Sequence, residues 1–196
     1  MSDSEESPTS TAFKFPSMPD LVCCLGDLST PLPQRMRAVF YLRTLGGAEA
    51  VAGLCAALTV RGGTTLFRHE VAYVLGQMEA REAIPTLTAV LRDASEDPIV
   101  RHECGEALGA IADPATLPLL EEMCGDPQAE VSETCQIAAA RVRWVAEHGA
   151  SSEAAGNMKD NPYESIDPAP SAKKPSREAV PEIQRRVRVG ALRRCW

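Results

Sequence analysis

Two histidine–glutamate dipeptides stand out in a chain that contains only three histidines. His69-Glu70 lies in FRHEVAYVLGQM and His102-Glu103 lies in VRHECGEALGAI, and the two histidines are 33 residues apart. Imidazole nitrogens and carboxylate oxygens ligate transition metals, and two histidines with one carboxylate are typical of non-haem Fe(II) sites that activate oxygen. The sequence therefore suggests a metal group made of His69, His102 and one glutamate, provided that the fold brings them together.

The residue types alone leave other interpretations open. Zinc accepts the same ligands, although neither dipeptide is followed by a histidine four residues on, as the H-E-x-x-H protease motif requires. The dipeptides could also lie on a solvated helix face without a function, because repeats duplicate surface residues as well as functional ones. Tyr73 and Glu106, each one turn after a histidine, could orient the ligands or simply flank them. Cys104 and Cys135 fall among apolar positions and are expected to pack in the core.

The dipeptides belong to a repeat. Segments that begin at Met36, His69 and His102 align at intervals of 33 residues, and a fourth copy begins at Glu133 after a slightly shorter step. Shorter apolar segments such as AIPTLTAVL lie between them, and no stretch alternates with the period of a strand. The pattern predicts an all-α fold, a HEAT-like superhelix (solenoid) of about four helix pairs.

Local signals support this assignment and orient the dipeptides. Asp97 precedes Pro98 as a predicted N-cap, and Thr64 is the equivalent cap one repeat earlier. At about 100° per residue, His102 points away from the apolar stripe of its helix and Glu103 lies on the flank. Stacked helices lie about 10 Å apart, so histidines on neighbouring repeats are expected to reach one ion together.

Gly76 and Gly109 each follow one of the two histidines by two helical turns. Glycine inside a helix costs about 1 kcal/mol relative to alanine, so its presence on the face of the histidines suggests that something approaches the backbone there. We interpret the two glycines as part of a narrow slot for a ligand chain that ends at the metal.

Composition restricts the class of protein. Residues 1–170 carry 12 basic against 25 acidic residues, which argues against nucleic-acid binding and favours cationic partners. The seven cysteines form no disulfide pattern, the acidic start MSDSEESPTS is not a signal peptide, and no apolar run is long enough to span a membrane. We therefore expect a reduced, soluble, cytoplasmic protein that does not bind membranes.

The composition also divides the chain into four segments. We predict a disordered acidic arm at 1–18, a HEAT-like repeat domain at 19–148, a linker at 149–170, and a basic tail at 171–196 that is also disordered. The tail carries eight basic residues against two acidic ones and does not resume the repeat.

Roughly from Leu21 to Pro170, the sequence resembles the deoxyhypusine hydroxylases, a family of HEAT-repeat di-iron monooxygenases. The resemblance is strongest in LFRHEVAYVLGQM, AIPTL, PIVRHECGEALGAI and AEVSETCQIA, and it extends to DPAP in the linker. It implies hydroxylation, by molecular oxygen, of the deoxyhypusine side chain of translation initiation factor 5A to give hypusine. It also implies that His69, His102 and Glu103 ligate iron, that Glu70 binds the cationic amine of the substrate, and that no other side chain is catalytic.

The chain departs from the family pattern in one respect. In that family two similar halves, each with two His-Glu dipeptides, face each other and hold two Fe(II) ions between them, whereas this sequence has one such half. We therefore expect ligands for one iron here, and a complete site only in a homodimer or with a separate second half. The alternatives are a non-catalytic HEAT module that binds a cationic protein and a relative of the bilin lyases, for which no chromophore-handling feature is apparent.

Overall fold

The computed structural model describes residues 16–148. All regular secondary structure in this range is helical, and the range contains no strand. Short 3₁₀ turns at Arg81–Ala83 and Pro114–Thr116 precede the fifth and seventh of eight α-helices. The helices are α1 Met18–Gly26, α2 Leu32–Leu45, α3 Gly47–Thr59, α4 Thr65–Gln77, α5 Ile84–Arg92, α6 Pro98–Ile111, α7 Leu117–Met123 and α8 Ala129–His148.

Consecutive helices pack as four pairs, α1 with α2, α3 with α4, α5 with α6, and α7 with α8. The even-numbered helices stack on one another in the order α2, α4, α6, α8, and α6 packs closely against both α4 and α8. This confirms the predicted all-α repeat architecture. Within residues 16–148 no helix has both the length and the hydropathy needed to cross a bilayer.

The domain boundaries can be compared with the structure only in part. The first helix begins at Met18, where Ser17 and Asp20 form a capping box, so the ordered repeat starts slightly before the predicted boundary. Most of the predicted arm, the linker at 149–170 and the tail at 171–196 lie outside the described residues.

Both predicted helix caps are present. The Thr64 hydroxyl accepts a hydrogen bond from the Phe67 amide at 3.2 Å, and the Asp97 carboxylate accepts one from the Ile99 amide at 2.9 Å. These caps give the repeats a common starting point. Each predicted repeat start is consequently the fifth residue of its helix: Met36 on α2, His69 on α4, His102 on α6 and Glu133 on α8.

The core lies between the two layers of helices and contains the two cysteines assigned to it. Cys104 and Cys135 have no exposed surface. Burial raises the pKa of Cys135 to about 12, and it raises the pKa of Cys104 as well. Both side chains therefore remain protonated thiols at neutral pH, which makes them packing residues and poor metal ligands.

The two glycines predicted to form a slot are buried, and helix packing accounts for Gly76. A Cβ atom on Gly76 would lie 2.8 Å from the Cα atom of Ala107 on α6. The sequence suggested that something approaches the backbone at Gly76, and the structure shows that this is the neighbouring helix α6. The space beside Gly76 is filled by α6, and the slot interpretation of this residue is replaced by a role in holding α4 against α6.

Candidate metal centre

Helices α4 and α6 bring His69, His102 and Glu103 together. One ligand atom from each residue lies within 4.8 Å of the other two, a spacing that one metal ion can span. The two imidazole rings have their centroids 5.6 Å apart and are tilted by 48°. Neighbouring repeats thus present their histidines to a single place, as the alignment of the two dipeptides required.

Glu103 is the buried member of this group. The helical wheel placed it on the flank of α6, but the structure buries it, because α6 packs between α4 and α8 as well as against α5. A buried carboxylate needs a polar partner, and the Nε2 atom of His69 lies 2.9 Å from its Oε2 atom. His102, which the wheel turned away from the core, is half-buried against the ring of His69.

Glu70 occupies a different environment, although it follows its histidine in the same way. Its Oε1 atom lies 3.5 Å from the Nδ1 atom of His69, and its side chain is 23% exposed, against 5% for Glu103. The Nδ1 atom of His69 is itself buried and makes no hydrogen bond within residues 16–148. Glu70 is therefore placed at the edge of the group, accessible to a ligand from outside.

The two histidines differ in their affinity for protons. The hydrogen bond to Glu103 raises the pKa of His69, whereas burial lowers the pKa of His102. At neutral pH His102 therefore offers a free nitrogen lone pair. A metal ion that binds His69 must compete with the proton that this imidazole shares with Glu103.

This donor set fits a divalent transition metal. Two imidazoles and one carboxylate satisfy three coordination positions and leave others open for a reactant, as in Fe(II) sites. The buried carboxylate of Glu103 supports the assignment, because a bound cation would compensate its charge better than one imidazole does. Zinc would accept the same ligands, so the donor atoms define the class of metal and not the element.

The sequence left open whether Tyr73 orients the ligands or only flanks them. The hydroxyl of Tyr73 accepts a hydrogen bond from Gln77 at 2.6 Å, one turn further along α4, so this side chain is tied to its own helix. Leu66 and Ile99 each lie three residues before a histidine, and both are exposed. Their exposure beside the metal group was not predicted from the sequence. Their equivalent positions in two repeats were the signal that could have revealed them.

Comparison with known proteins agrees with the repeats and shows the family. A family model described as HEAT repeats matches residues 51–140. Deoxyhypusine hydroxylase of Gallus gallus is 48% identical over 146 residues, which cover 74% of this chain and 46% of that protein. The Homo sapiens enzyme is 48% identical over 148 residues, which cover 76% of this chain and 46% of its own length. The chain belongs to the deoxyhypusine hydroxylase family.

A solved structure supports the same conclusion. The structure of human deoxyhypusine hydroxylase in complex with glycerol superposes with a TM-score of 0.71 at 44% identity, covering 81% of this chain and 52% of that one. The family resemblance predicted from the His-Glu segments is thereby confirmed. The chain spans about half the length of the deoxyhypusine hydroxylases that it matches.

Proposed function

We propose that this chain is a deoxyhypusine hydroxylase polypeptide that carries one half of an iron-dependent monooxygenase site. The observation that carries the proposal is the convergence of His69, His102 and Glu103 within 4.8 Å of one another. The identity to deoxyhypusine hydroxylases supports hydroxylation of the deoxyhypusine side chain and does not favour the alternative of a non-catalytic binding module.

In this proposal His69, His102 and Glu103 hold one Fe(II) ion, which supplies the activation of molecular oxygen when it is bound. The role of the protein is to hold the ligands in position. The α4–α6 contact holds the two imidazoles 5.6 Å apart, and the burial of Glu103 keeps its carboxylate beside His69. The low pKa of His102 keeps one ligand deprotonated and ready to bind.

The surroundings of the group suit a long aliphatic amine attached to a protein, here the deoxyhypusine side chain of translation initiation factor 5A. The accessible carboxylate of Glu70 beside His69 is placed to pair with the cationic amine. Leu66 and Ile99, exposed one turn before each dipeptide, offer apolar surface to the methylene groups. Gly109 on α6 is buried, and its part in a slot for the substrate chain stays a prediction.

A complete family site requires a second set of ligands, and we propose that a second copy of this chain or a separate second half supplies it. A facing copy would bring its own two imidazoles and carboxylate for a second iron, so that each ion would keep open positions for a reactant. Light scattering with and without Fe(II) tests the pairing of two copies. A dimer formed in the presence of iron is expected, and a monomer under those conditions would contradict homodimerisation.

The activity is tested by incubating the chain with deoxyhypusine-bearing initiation factor 5A, Fe(II) and oxygen, and measuring the product by mass spectrometry. The expected result is a gain of one oxygen atom that disappears in His69→Ala and His102→Ala. Met36→Leu, at the equivalent position of α2, is the matched control and should retain activity. Product formation by the histidine variants, or none from the iron-loaded wild type at any concentration, would contradict the proposal.

A cytoplasmic location is part of the same proposal. It is supported by the cysteines within residues 16–148, which are all free thiols, as expected in a reducing compartment. Fractionation of cells that express the tagged chain would test it, and recovery in a secreted or organellar fraction would contradict it.

A further inference from the structure

An arginine precedes the fifth helical residue in three of the four stacked helices, at positions 35, 68 and 101. The first of these, Arg35, donates to the Leu25 carbonyl at 2.8 and 3.1 Å and lies 3.9 Å above the centre of the Phe67 ring. It therefore links its own helix pair to the next one. The residue that follows each arginine is the one placed at the level of the metal group.

Arg101 makes the same type of link at the other end of the array. Its Nε atom donates to the Leu91 carbonyl at 2.9 Å, and its guanidinium pairs with Asp126 in the turn between α7 and α8. Both side chains of this ion pair are almost fully buried, at 4% and 6% exposure. This arginine therefore joins α6 to the pair that follows and makes no link to α4 through these contacts.

Of the three arginines, Arg68 is the one that joins the two histidine-bearing helices, α4 and α6. Its guanidinium pairs with Glu96, and the two side chains are only 12% and 8% exposed. Glu96 also accepts the Asp97 amide at 2.7 Å, and Asp97, the N-cap of α6, accepts the Thr65 hydroxyl at 3.1 Å. Two adjacent links thus fix the first turns of α4 to the start of α6.

Two further observations show that Arg68 depends on Glu96 to connect α4 with α6. The Nε atom of Arg68 makes no hydrogen bond within residues 16–148, unlike the corresponding atoms of Arg35 and Arg101. Arg68 therefore has no anchor to a carbonyl of its own pair. Further along α4, the close contact of Gly76 with Ala107 fixes the same two helices, so His69 lies between two points of attachment.

We propose that Arg68 and Glu96 are positioning residues for the metal group, because their ion pair sets the register of α4 against α6. The inference deepens the proposed function, since it concerns the same histidines. Without the pair, the first turns of α4 can shift relative to α6, and His69 no longer meets His102 and Glu103 at bonding distance. The equivalent pair of Arg101 and Asp126 has the same chemistry but cannot have this effect, because it does not touch α4.

That equivalence provides a matched control, and the test compares Glu96→Gln with Asp126→Asn. The first readout needs no metal: nuclear Overhauser contacts between the ring protons of His69 and His102 in a chain with only three histidines. We expect these contacts in the wild type and in Asp126→Asn, and their loss in Glu96→Gln. The second readout is Co(II) affinity followed by absorbance, which should fall at least tenfold in Glu96→Gln and less than threefold in Asp126→Asn.

The result that overturns the proposal is an unchanged contact between the imidazoles in Glu96→Gln, or an equal loss in both variants. If Glu96→Gln does not fold, Thr65→Val removes only the neighbouring link to Asp97 and should weaken the contacts to a smaller degree, whereas no change would also overturn it. The wild type could show the contact between its imidazoles and still fail to bind Co(II). That result would contradict the proposed function, and the positioning role would then be decided by the nuclear Overhauser contacts alone.

Discussion

The two His-Glu dipeptides are identical in sequence and in helix position, yet their glutamates are placed differently. Glu103 is buried and bonded to His69 of the preceding repeat, whereas Glu70 is more accessible and lies 3.5 Å from its own histidine. The difference comes from the helix that precedes each dipeptide. The helix before the second dipeptide, α4, carries His69 as its fifth residue, whereas the helix before the first, α2, carries Met36, which cannot bond a carboxylate.

The repeat supplies equivalent positions, and the neighbouring repeat determines their chemistry. The glutamate of a dipeptide joins the metal group only where the preceding helix also carries a histidine. The second dipeptide therefore completes a group with the first histidine, and the first glutamate remains free for another partner.

The largest expected effect comes from removing the carboxylate that distinguishes the two dipeptides. Glu103→Gln should weaken metal binding by at least the roughly hundredfold loss seen when ligand-supporting residues are removed. Glu70→Gln is the matched control and should lower the affinity by a smaller factor than Glu103→Gln, because its carboxylate lies outside the group. Isothermal titration with Co(II) measures both, and equal losses in the two variants would contradict the assigned difference.

The second prediction concerns the arginine before the second dipeptide. Asp126→Asn removes a charge from a buried ion pair and should lower the free energy of unfolding by about 3 kcal/mol at pH 7. The hydrogen bond from Arg101 lowers the pKa of Asp126, so this stabilisation is present above the unfolded-state pKa of about 4 and is lost as the pH falls through the folded-state pKa.

Urea denaturation of wild type and Asp126→Asn between pH 7 and pH 2 measures this dependence. The difference between the two chains should shrink as the solution is acidified. A difference that stays constant over the whole range would show that the charge of Asp126 does not stabilise the fold.

The third prediction concerns the contact that holds α4 to α6. Gly76→Ala should lower the free energy of unfolding by about 1–3 kcal/mol, because the new methyl group would lie 2.8 Å from the Ala107 backbone. It should also weaken metal binding by separating the histidines. Gly26→Ala, which meets no atom within 4 Å, is the control and should be neutral or slightly stabilising in thermal denaturation. Full metal affinity in Gly76→Ala would restore the slot interpretation.

The fourth prediction converts the first dipeptide into a copy of the second. Met36→His places an imidazole at the fifth residue of α2, the position equivalent to that of His69 on α4. We expect a second, weaker equivalent of Co(II) to bind in a titration. If the stoichiometry remains that of the wild type, the identity of the preceding helical residue does not explain the difference between the dipeptides.

The smallest effect is expected at Tyr73. Its hydroxyl is bonded to Gln77 on its own helix, so Tyr73→Phe should cost about 1 kcal/mol or less and leave metal affinity within about twofold. Denaturation and Co(II) titration of the same sample measure both quantities. A tenfold loss of affinity would show that Tyr73 orients the metal ligands after all.

Much of the fold could be predicted from the sequence, because the repeat period and the caps at Thr64 and Asp97 are local signals. The pairing of His69 with His102 also followed from the alignment of the two dipeptides, whereas the choice of Glu103 as their carboxylate came from the family resemblance. The burial of Glu103 and the role of Gly76 did not follow from the sequence, since both depend on which helices flank α6 and α4. A helical wheel shows which face of one helix is apolar, but it does not show how many other helices pack against that helix. The part played by Glu96 was hidden for the same reason.

We propose that α4 and α6 build one metal group from unequal dipeptides. The most direct test is a crystal structure of the Co(II)-loaded chain with anomalous data at the cobalt edge. The account predicts an ion bound by His69, His102 and Glu103, with the carboxylate of Glu70 outside its coordination sphere. An ion ligated by Glu70 in place of Glu103, or no cobalt between the two histidines, would contradict it.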